Sequence, residues 1–486
     1  MSRRPHLSSR RIKRRYAVDI LLTHAYYLYE DPAERQIMKP YPPLGLLYVA
    51  AHLRSCGFDV DVLDTTFMSR ADHLQAIAEN TAPVVGIYAN LMTRKNVFQI
   101  IDTAKSVGST VVLGGPEPVN YTSEYLDRGA DIIVAGEGEL TLAGLLPALS
   151  STDEEAVGKV AGIIFRDHNG QTVTTEPREQ IKDLDDCPHP ARDSIDMNKY
   201  LETWRSHHGA SSVSLITARG CPYTCRWCSH SVYGFSYRRR SPSDVADELE
   251  QIRDTYAPDR VWYADDVFAM SRHWLRSFSD ELKSRDLYFP FETISREDRI
   301  DEEVIKVLAD MGCYRLWIGA ESGSQKVLDT MDRRTNVVRM REVIGLLQKH
   351  GIRAGTFIML GYEEEKWEDI NATSDHLCAA LPDDVLTTLA YPINGTPYYE
   401  DVSDRILAHG PWETSSDRNL TVAGRYSTRF YTHAQKWIRT NVQLTRELRS
   451  DRRNYYRIAH TYMSSKKHRA AMYLTCRQVE DGRSLN

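Results

Sequence analysis

Three cysteines within eight positions are the residues of this chain best suited to chemistry. They lie in Ser214-Leu-Ile-Thr-Ala-Arg-Gly-Cys221-Pro-Tyr-Thr-Cys225-Arg-Trp-Cys228, spaced C-x3-C-x2-C, where Gly220 frees the chain to leave a strand end. Thiolates are soft, charged donors. Three on one loop can wrap one face of an iron–sulfur cubane and leave a fourth iron open to hold a substrate. Together with His230 the same three could instead close round zinc as a Cys3His structural site. Inert buried thiols are the plainest alternative, and three of them in one Gly- and Pro-bearing loop argue against it. Eight Cys in 486 residues are too few for a disulfide framework, which indicates a reducing compartment with one dedicated thiolate site.

The elements that must position such a loop alternate along the chain. Val18–Thr23, Asp61–Thr65, Val84–Tyr88, Thr110–Leu113 and Asp131–Ala135 read as buried parallel strands. Helical patterns lie between them at Leu44–Cys56, Ala71–Asn80, Val97–Val107 and Ser123–Arg128, with Gly57, Gly108 and Gly129 as stops. In a doubly wound sheet of this kind ligands bind outside the carboxyl ends of the strands, at Asn90–Arg94, Gly114–Glu117 and Gly136–Glu139 here. Gly162–Arg166 and Thr172–Thr175 around Asn169-Gly170 predict a hairpin, and Pro188 and Pro190 punctuate a linker. Six further strands follow, at Val213–Thr217, Val261–Ala264, Phe291–Thr293, Arg315–Gly319, Ala354–Met359 and Thr387–Tyr391. They suit a barrel with its active site at the strands' carboxyl ends. Phe430 through Arg469 mixes Tyr, Trp and Arg; such residues can stack on bases or bind phosphorylated substrates, but their helical spacing favours an amphipathic cover for the barrel's open edge with Arg on the wet face.

The predicted fold class is therefore α/β: an N-terminal Rossmann-like doubly wound parallel sheet plus a partial (β/α) barrel of about six strands with a helical C-terminal extension. The boundaries are a basic tail at 1–15, the Rossmann-like domain at 16–150, hairpin and linker at 151–206, the barrel at 207–400 and the extension at 401–486. Composition, 42% hydrophobic and 26% charged, excludes collagenous and disordered chains. The 67 acidic against 61 basic residues give a net charge of −6, so no nucleic-acid partner is expected. No apolar run reaches the ~18 residues of a membrane span. The tail, Met1 to Arg15, has seven Arg or Lys but no apolar core, so it reads as solvated rather than as a secretory signal. A cytoplasmic protein is expected. No G-x-S-x-G, H-E-x-x-H or P-loop occurs, so no catalytic residue is predicted beyond cofactor ligands.

The cysteine stretch resembles the signature of radical S-adenosylmethionine (SAM) enzymes, C-x3-C-x-Φ-C, with Trp227 at the aromatic position. The resemblance continues, in order, at the strand ends Trp262-Tyr-Ala-Asp265-Asp266, Thr293-Ile-Ser295-Arg296, Gly319-Ala-Glu321-Ser322-Gly323-Ser324, Gly355-Thr-Phe-Ile-Met-Leu-Gly361 and Tyr391-Pro392-Ile-Asn-Gly395-Thr396-Pro397. It implies that Cys221, Cys225 and Cys228 hold a [4Fe–4S] cluster whose fourth iron binds SAM. Reductive cleavage would then give a 5′-deoxyadenosyl radical, fed by an external one-electron donor such as flavodoxin or ferredoxin. Asp265, Asp266, Ser295, Arg296, Glu321 and Ser322 become candidates to hold SAM, and Gly361 to admit its adenine.

The domain ahead of the barrel resembles that of the cobalamin-binding radical SAM group, through Tyr41-Pro-Pro-Leu44-Gly45, Val112-Leu-Gly114-Gly115-Pro116 and Val134-Ala-Gly136-Glu137-Gly138-Glu139. The linker run from Asp183 to Arg192 shares its wording. Tyr41, Leu44, Asn90, Leu91, Gly114, Gly115, Glu117, Gly136 and Glu137 are the implied cobalamin contacts. The D-x-H-x-x-G cobalt-ligand motif is missing. His24, in Thr23-His24-Ala-Tyr-Tyr-Leu, stands near its place and reads as a satisfied histidine. The resemblance implies a cobalamin-dependent methyltransferase acting on an unactivated carbon of a small-molecule substrate. Two other outcomes fit the same architecture. One is a radical cyclase, whose C-terminal region Thr428-Arg-Phe-Tyr431 echoes; the other is a cobalamin-independent dehydratase or oxidoreductase tailoring an aminoglycoside-like substrate.

Overall fold

Segments rich in Val, Ile and Leu, apolar on both faces, form two parallel sheets that need helices on either side. The computed structural model describes residues 18–451 and 453–480. The predicted basic tail at 1–15 lies outside the described residues.

The first sheet comprises β1 (Ile20–His24), β2 (Val60–Leu63), β3 (Val84–Tyr88), β4 (Thr110–Gly114), β5 (Ile132–Val134), β6 (Ile163–Arg166) and β7 (Thr172–Thr174). Their spatial order is β2-β1-β3-β4-β5-β6-β7. β1 to β5 are parallel, so the order reverses between β1 and β3, and a ligand crevice opens there. The hairpin at 162–175 is not a separate linker element. β6 pairs antiparallel with β5 and β7 with β6, which covers the exposed backbone edge of β5 and buries Ile163 and Ile164.

The second sheet carries β8 (Ser212–Leu215), then after the short antiparallel pair β9 (Ala218–Arg219) and β10 (Arg238–Arg239), β11 (Arg260–Tyr263), β12 (Phe291–Ser295), β13 (Cys313–Glu321), β14 (Arg353–Leu360) and β15 (Asp384–Leu389). The order is β15-β14-β13-β12-β11-β8, all parallel, an open barrel of six strands.

The helix Pro242–Tyr256 shows how the sequence writes these elements. Ser241 caps it by accepting from Asp244 N, Pro242 supplies a preset φ at the first position, and the chain leaves through Ala257 at φ +44. Val245, Leu249 and Ile252 recur at i, i+4 and i+7, and pack with Val213 and Val261 in the barrel core. Each such side chain contributes roughly 1.5–3 kcal/mol on burial.

The C-terminal extension packs on the barrel and on the helices that flank the first sheet. The helix Thr428–Arg449 lays Phe430, Tyr431, Trp437 and Ile438 against Ile358, Leu360 and Leu377 at the barrel's open edge, as its spacing predicted. Ahead of it, Asp417 reaches the helix Arg94–Ser106 that flanks the first sheet and shares the buried guanidinium of Arg94 with Glu117, at 2.9 and 2.5 Å. Among the described residues no helix is long and apolar enough to cross a membrane.

Candidate active site: two adjoining cavities

The cysteine loop is held by the strand it leaves. Thr217 N and Ala218 N donate to Asp265 Oδ1 at 2.7 and 3.1 Å, and Thr217 Oγ1 donates to Asp265 Oδ2. Gly220 then turns the chain at φ +84, where a Cβ would stand 2.3 Å from Ser236 O. Only glycine fits such a place. Beyond it Cys221, Cys225 and Cys228 face one cavity of about 440 Å³, whose walls include Trp227, Asp266, Ser295, Arg296 and Glu321.

This cavity is charged, and it opens to solvent. Arg296 lies 3.7 Å over the Tyr223 ring, donates to Asp298 and to Arg333 O, and brings Nη1 to 3.9 Å from Cys225 Sγ. Burial pushes the Glu321 carboxyl up to about 8, against the pull of Arg296. Burial, then the charge of Asp265, also raises Asp266. Arg333 Nη1 and His230 Nε2, both from residues of this wall, are buried without a hydrogen-bond partner among the described residues. A polar ligand would therefore find a donor and an acceptor waiting.

The donor set fits an iron–sulfur cluster better than one zinc ion. His230 Nδ1 meets Gly234 O at 3.1 Å and its ring packs on Phe235, which fixes its direction. Among the described residues no three His, Cys, Asp or Glu side chains converge as a single ion requires. A cubane takes each thiolate on a different iron, so it asks only that the three face one space, and they do. Burial raises all three thiols, a penalty that the soft cations must overcome.

A second cavity, about 420 Å³, lies at the crevice between β1 and β3, under the N-termini of the helices Leu44–Ser55 and Gly138–Leu149. Its walls are largely apolar. Leu22, Gly86, Val112 and Val134 line its sheet side, with Leu44, Val49 and Leu142 opposite. A Cβ on Gly45 or Gly114 would meet nothing within 4 Å, so backbone is offered there to a large ligand. The two cavities adjoin: Pro116, Val232 and Tyr233 line both.

A buried ion cluster ties them together. Arg219, two residues before Cys221, donates to Glu137 Oε1 and Glu139 Oε1, each at 2.7 Å, and Arg238 donates to Glu137 Oε2 at 2.8 Å. Burial opposes the charge on Arg219, but Glu139 and Glu137 hold its pKa above the ordinary value. One guanidinium thus joins the cysteine loop to the turn that opens the second cavity.

Two family models match the chain: the Radical SAM superfamily over residues 215–377, and the B12 binding domain over 36–146. The chain is a radical SAM enzyme with a B12-binding domain. Its cofactors are accordingly a [4Fe–4S] cluster, SAM and cobalamin. Among similar proteins, an uncharacterized methyltransferase of Pyrococcus horikoshii, PH0819, is 29% identical over 393 residues, 79% of this chain and 83% of that protein. The anaerobic magnesium-protoporphyrin IX monomethyl ester cyclase of Synechocystis is 25% identical over 375 residues, 75% of this chain and 73% of that protein. The fold matches that of the cobalamin-dependent S-adenosylmethionine radical enzyme OxsB with aqua-cobalamin bound. The TM-score is 0.72 at 17% identity, over 94% of this chain and 72% of that one.

Of the residues singled out for the radical SAM site, the three cysteines, Trp227, Asp266, Ser295, Arg296 and Glu321 meet at the first cavity. Leu44, Gly114, Gly115, Gly136 and Glu137 meet at the second. The rest stand elsewhere. Asp265 is consumed by the loop backbone, as above. Ser322 faces away, with its hydroxyl on Thr373 Oγ1 at 3.1 Å. Glu117 is bound by Arg94. Tyr41 packs on Trp204 at the surface, and Asn90 caps its own loop by accepting from Met92 N; neither these two nor Leu91 lines a cavity described here. Glu137 lines the second cavity, but both of its oxygens are taken by protein groups. His24 is buried, with Nε2 on Asp64 at 2.9 Å and Nδ1 on Thr65 Oγ1 at 3.1 Å, and lines neither cavity. Arg219, Val232 and Tyr233 were not anticipated. The one available signal was a charged residue between Ala218 and Gly220, at an otherwise small, apolar strand exit.

Gly361 lines a third cavity instead, with Glu365, Tyr398 and Arg425. Glu365 accepts from Gly361 N at 2.6 Å, and its other oxygen has no hydrogen-bond partner among the described residues. Burial pushes this carboxyl from 4.5 up to about 8, with the Gly361 bond acting against the shift. The folded chain therefore binds the proton more tightly than the unfolded one, and stability falls as pH rises through that interval. Glu365→Gln is expected to flatten the decline of the urea midpoint from about pH 5 to about pH 8. Equal slopes in wild type and variant would refute the assignment.

Proposed function

We propose that this radical SAM enzyme is a cobalamin-dependent methyltransferase that acts on an unactivated carbon of a small molecule, served in the cytoplasm by a flavodoxin- or ferredoxin-type electron donor. The shared wall of Pro116, Val232 and Tyr233 carries this reading, because it sets the cobalamin-type crevice beside the cysteine cavity. When bound, the cluster with SAM supplies one-electron cleavage of a sulfonium, and cobalamin supplies carriage of a methyl group.

The chain's own residues bind and orient. Cys221, Cys225 and Cys228 would hold the cluster. Ser295, Asp266 and the fixed guanidinium of Arg296 would meet the polar parts of SAM in the same cavity. With its carboxyl pushed to about 8, Glu321 keeps its proton near neutral pH and can donate one hydrogen bond there. Leu44 and the bare backbones of Gly45 and Gly114 would receive the corrin. Tyr233, half-buried, stands between the crevice and the cluster loop and lines both cavities.

The relatives named above include both a methyltransferase and a cyclase, so the test must separate the two. The loaded enzyme, reduced anaerobically with methyl-labelled SAM, is expected to form 5′-deoxyadenosine and to carry label into the corrin fraction. Deoxyadenosine without labelled corrin would favour cyclisation or another radical outcome. No deoxyadenosine at all would end the proposal.

A further inference from the structure

The outer helix of the C-terminal hairpin, Tyr455–Thr475, is built inside out. Its buried residues are Thr461, Ser465, Met472 and Thr475, mostly small and polar. They face the inner helix, where Arg469 lies 4.8 Å over Trp437, Arg457 donates to Glu447 at 2.6 Å, and His433 meets His468 at 3.3 Å. The opposite face carries the large apolar residues. Tyr456 is 84% exposed, Met463 71%, Tyr473 72% and Leu474 77%, and Tyr462 stands on the same side. Lys466 and Lys467 sit midway along this stripe, and residues 455–475 contain no Asp or Glu. A soluble surface helix ordinarily turns such residues inward.

We propose that this face docks on an anionic lipid surface, with the helix lying along the bilayer interface. Tyrosine, methionine and leucine on one side, mixed with lysine and free of acidic groups, are what that boundary accepts. Tyrosine places its ring at the apolar level and its hydroxyl in water, and lysine extends its ammonium to the headgroups. The other occupants fit less well. Lys466 and Lys467 flank the middle of the helix, so in-register parallel or symmetric antiparallel pairing with a second copy would oppose like charges. The segment 1–17 carries charge of the same sign as the face.

The test uses the full chain and co-sedimentation with vesicles of phosphatidylcholine alone or mixed with phosphatidylglycerol. Binding is expected to the mixed vesicles, to weaken with salt, and to be slight on the neutral ones. Lys466→Glu with Lys467→Glu should lower partitioning about tenfold or more. Tyr456→Ser, Met463→Ser, Tyr473→Ser and Leu474→Ser combined should abolish it, with the melting temperature unchanged because the face is exposed. Absence of binding, equal binding to both vesicles, or retention by the four-residue variant would overturn the proposal. So would a concentration-dependent dimer in light scattering that the same variant dissolves, since the face would then belong to a second copy.

Discussion

Cys225→Ala is expected to reduce 5′-deoxyadenosine formation to the level of an enzyme-free control. Iron and acid-labile sulfide should fall with it, because two thiols on a loop cannot replace three. The fold should persist. One sulfur is lost from the cavity wall, a truncation that costs on the order of 1 kcal/mol, and the cobalamin-type crevice does not include this residue. Corrin retention should therefore be unchanged, which separates loss of the cluster from general collapse. Cys313, buried in the barrel core with its thiol toward Arg315 O at 3.4 Å, provides the comparison. Cys313→Ala should still cleave SAM. If Cys225→Ala also cleaves it reductively, the cysteine triad does not hold the cluster.

Arg219→Ala is expected to separate the two cavities energetically. Glu139 would lose its ion-pair partner, and Glu137 would keep only Arg238, inside a region almost closed to water. Leaving buried carboxylates without their guanidinium costs about 3–5 kcal/mol. The expected results are a clearly lower melting temperature and loss of corrin on gel filtration. The second follows because the turn Gly136–Glu139 forms part of the crevice. Arg219→Lys should recover part of the stability but little of the corrin retention, since an ammonium is a point charge and cannot bridge two carboxylates as a planar fork does. Wild-type corrin retention in Arg219→Ala would mean that the ion cluster is only a structural tie.

What could be read from the sequence depended on how far apart the interacting residues lie along the chain. The C-x3-C-x2-C spacing and the glycine at the strand exit are local, and both sheets announce themselves through apolar runs whose period is set by the backbone. The parallel order of the barrel strands follows from the intervening helices, since each right-handed crossover leaves little choice. The choice between Asp265 and Asp266 was not legible. Adjacent residues leave a strand end in opposite directions, so one closed on the loop backbone and the other faced the cavity. Nor could Glu117 be assigned. Its partner Arg94 is also held by Asp417, 323 positions away, and ion pairing at such separations leaves no periodic trace.

The amino-acid order by itself determined the two parallel sheets, the spacing of the three cysteines that face one cavity and the glycine turns of the crevice, because each depends on neighbours within a few residues. Only the tertiary structure decided that the two cavities share a wall, that Arg219 joins them through Glu137 and Glu139 some 80 residues upstream, and that the last helix turns its aromatic face outward. Helical spacing shows that a helix has two faces; which of them is buried is decided by what the rest of the chain brings against it.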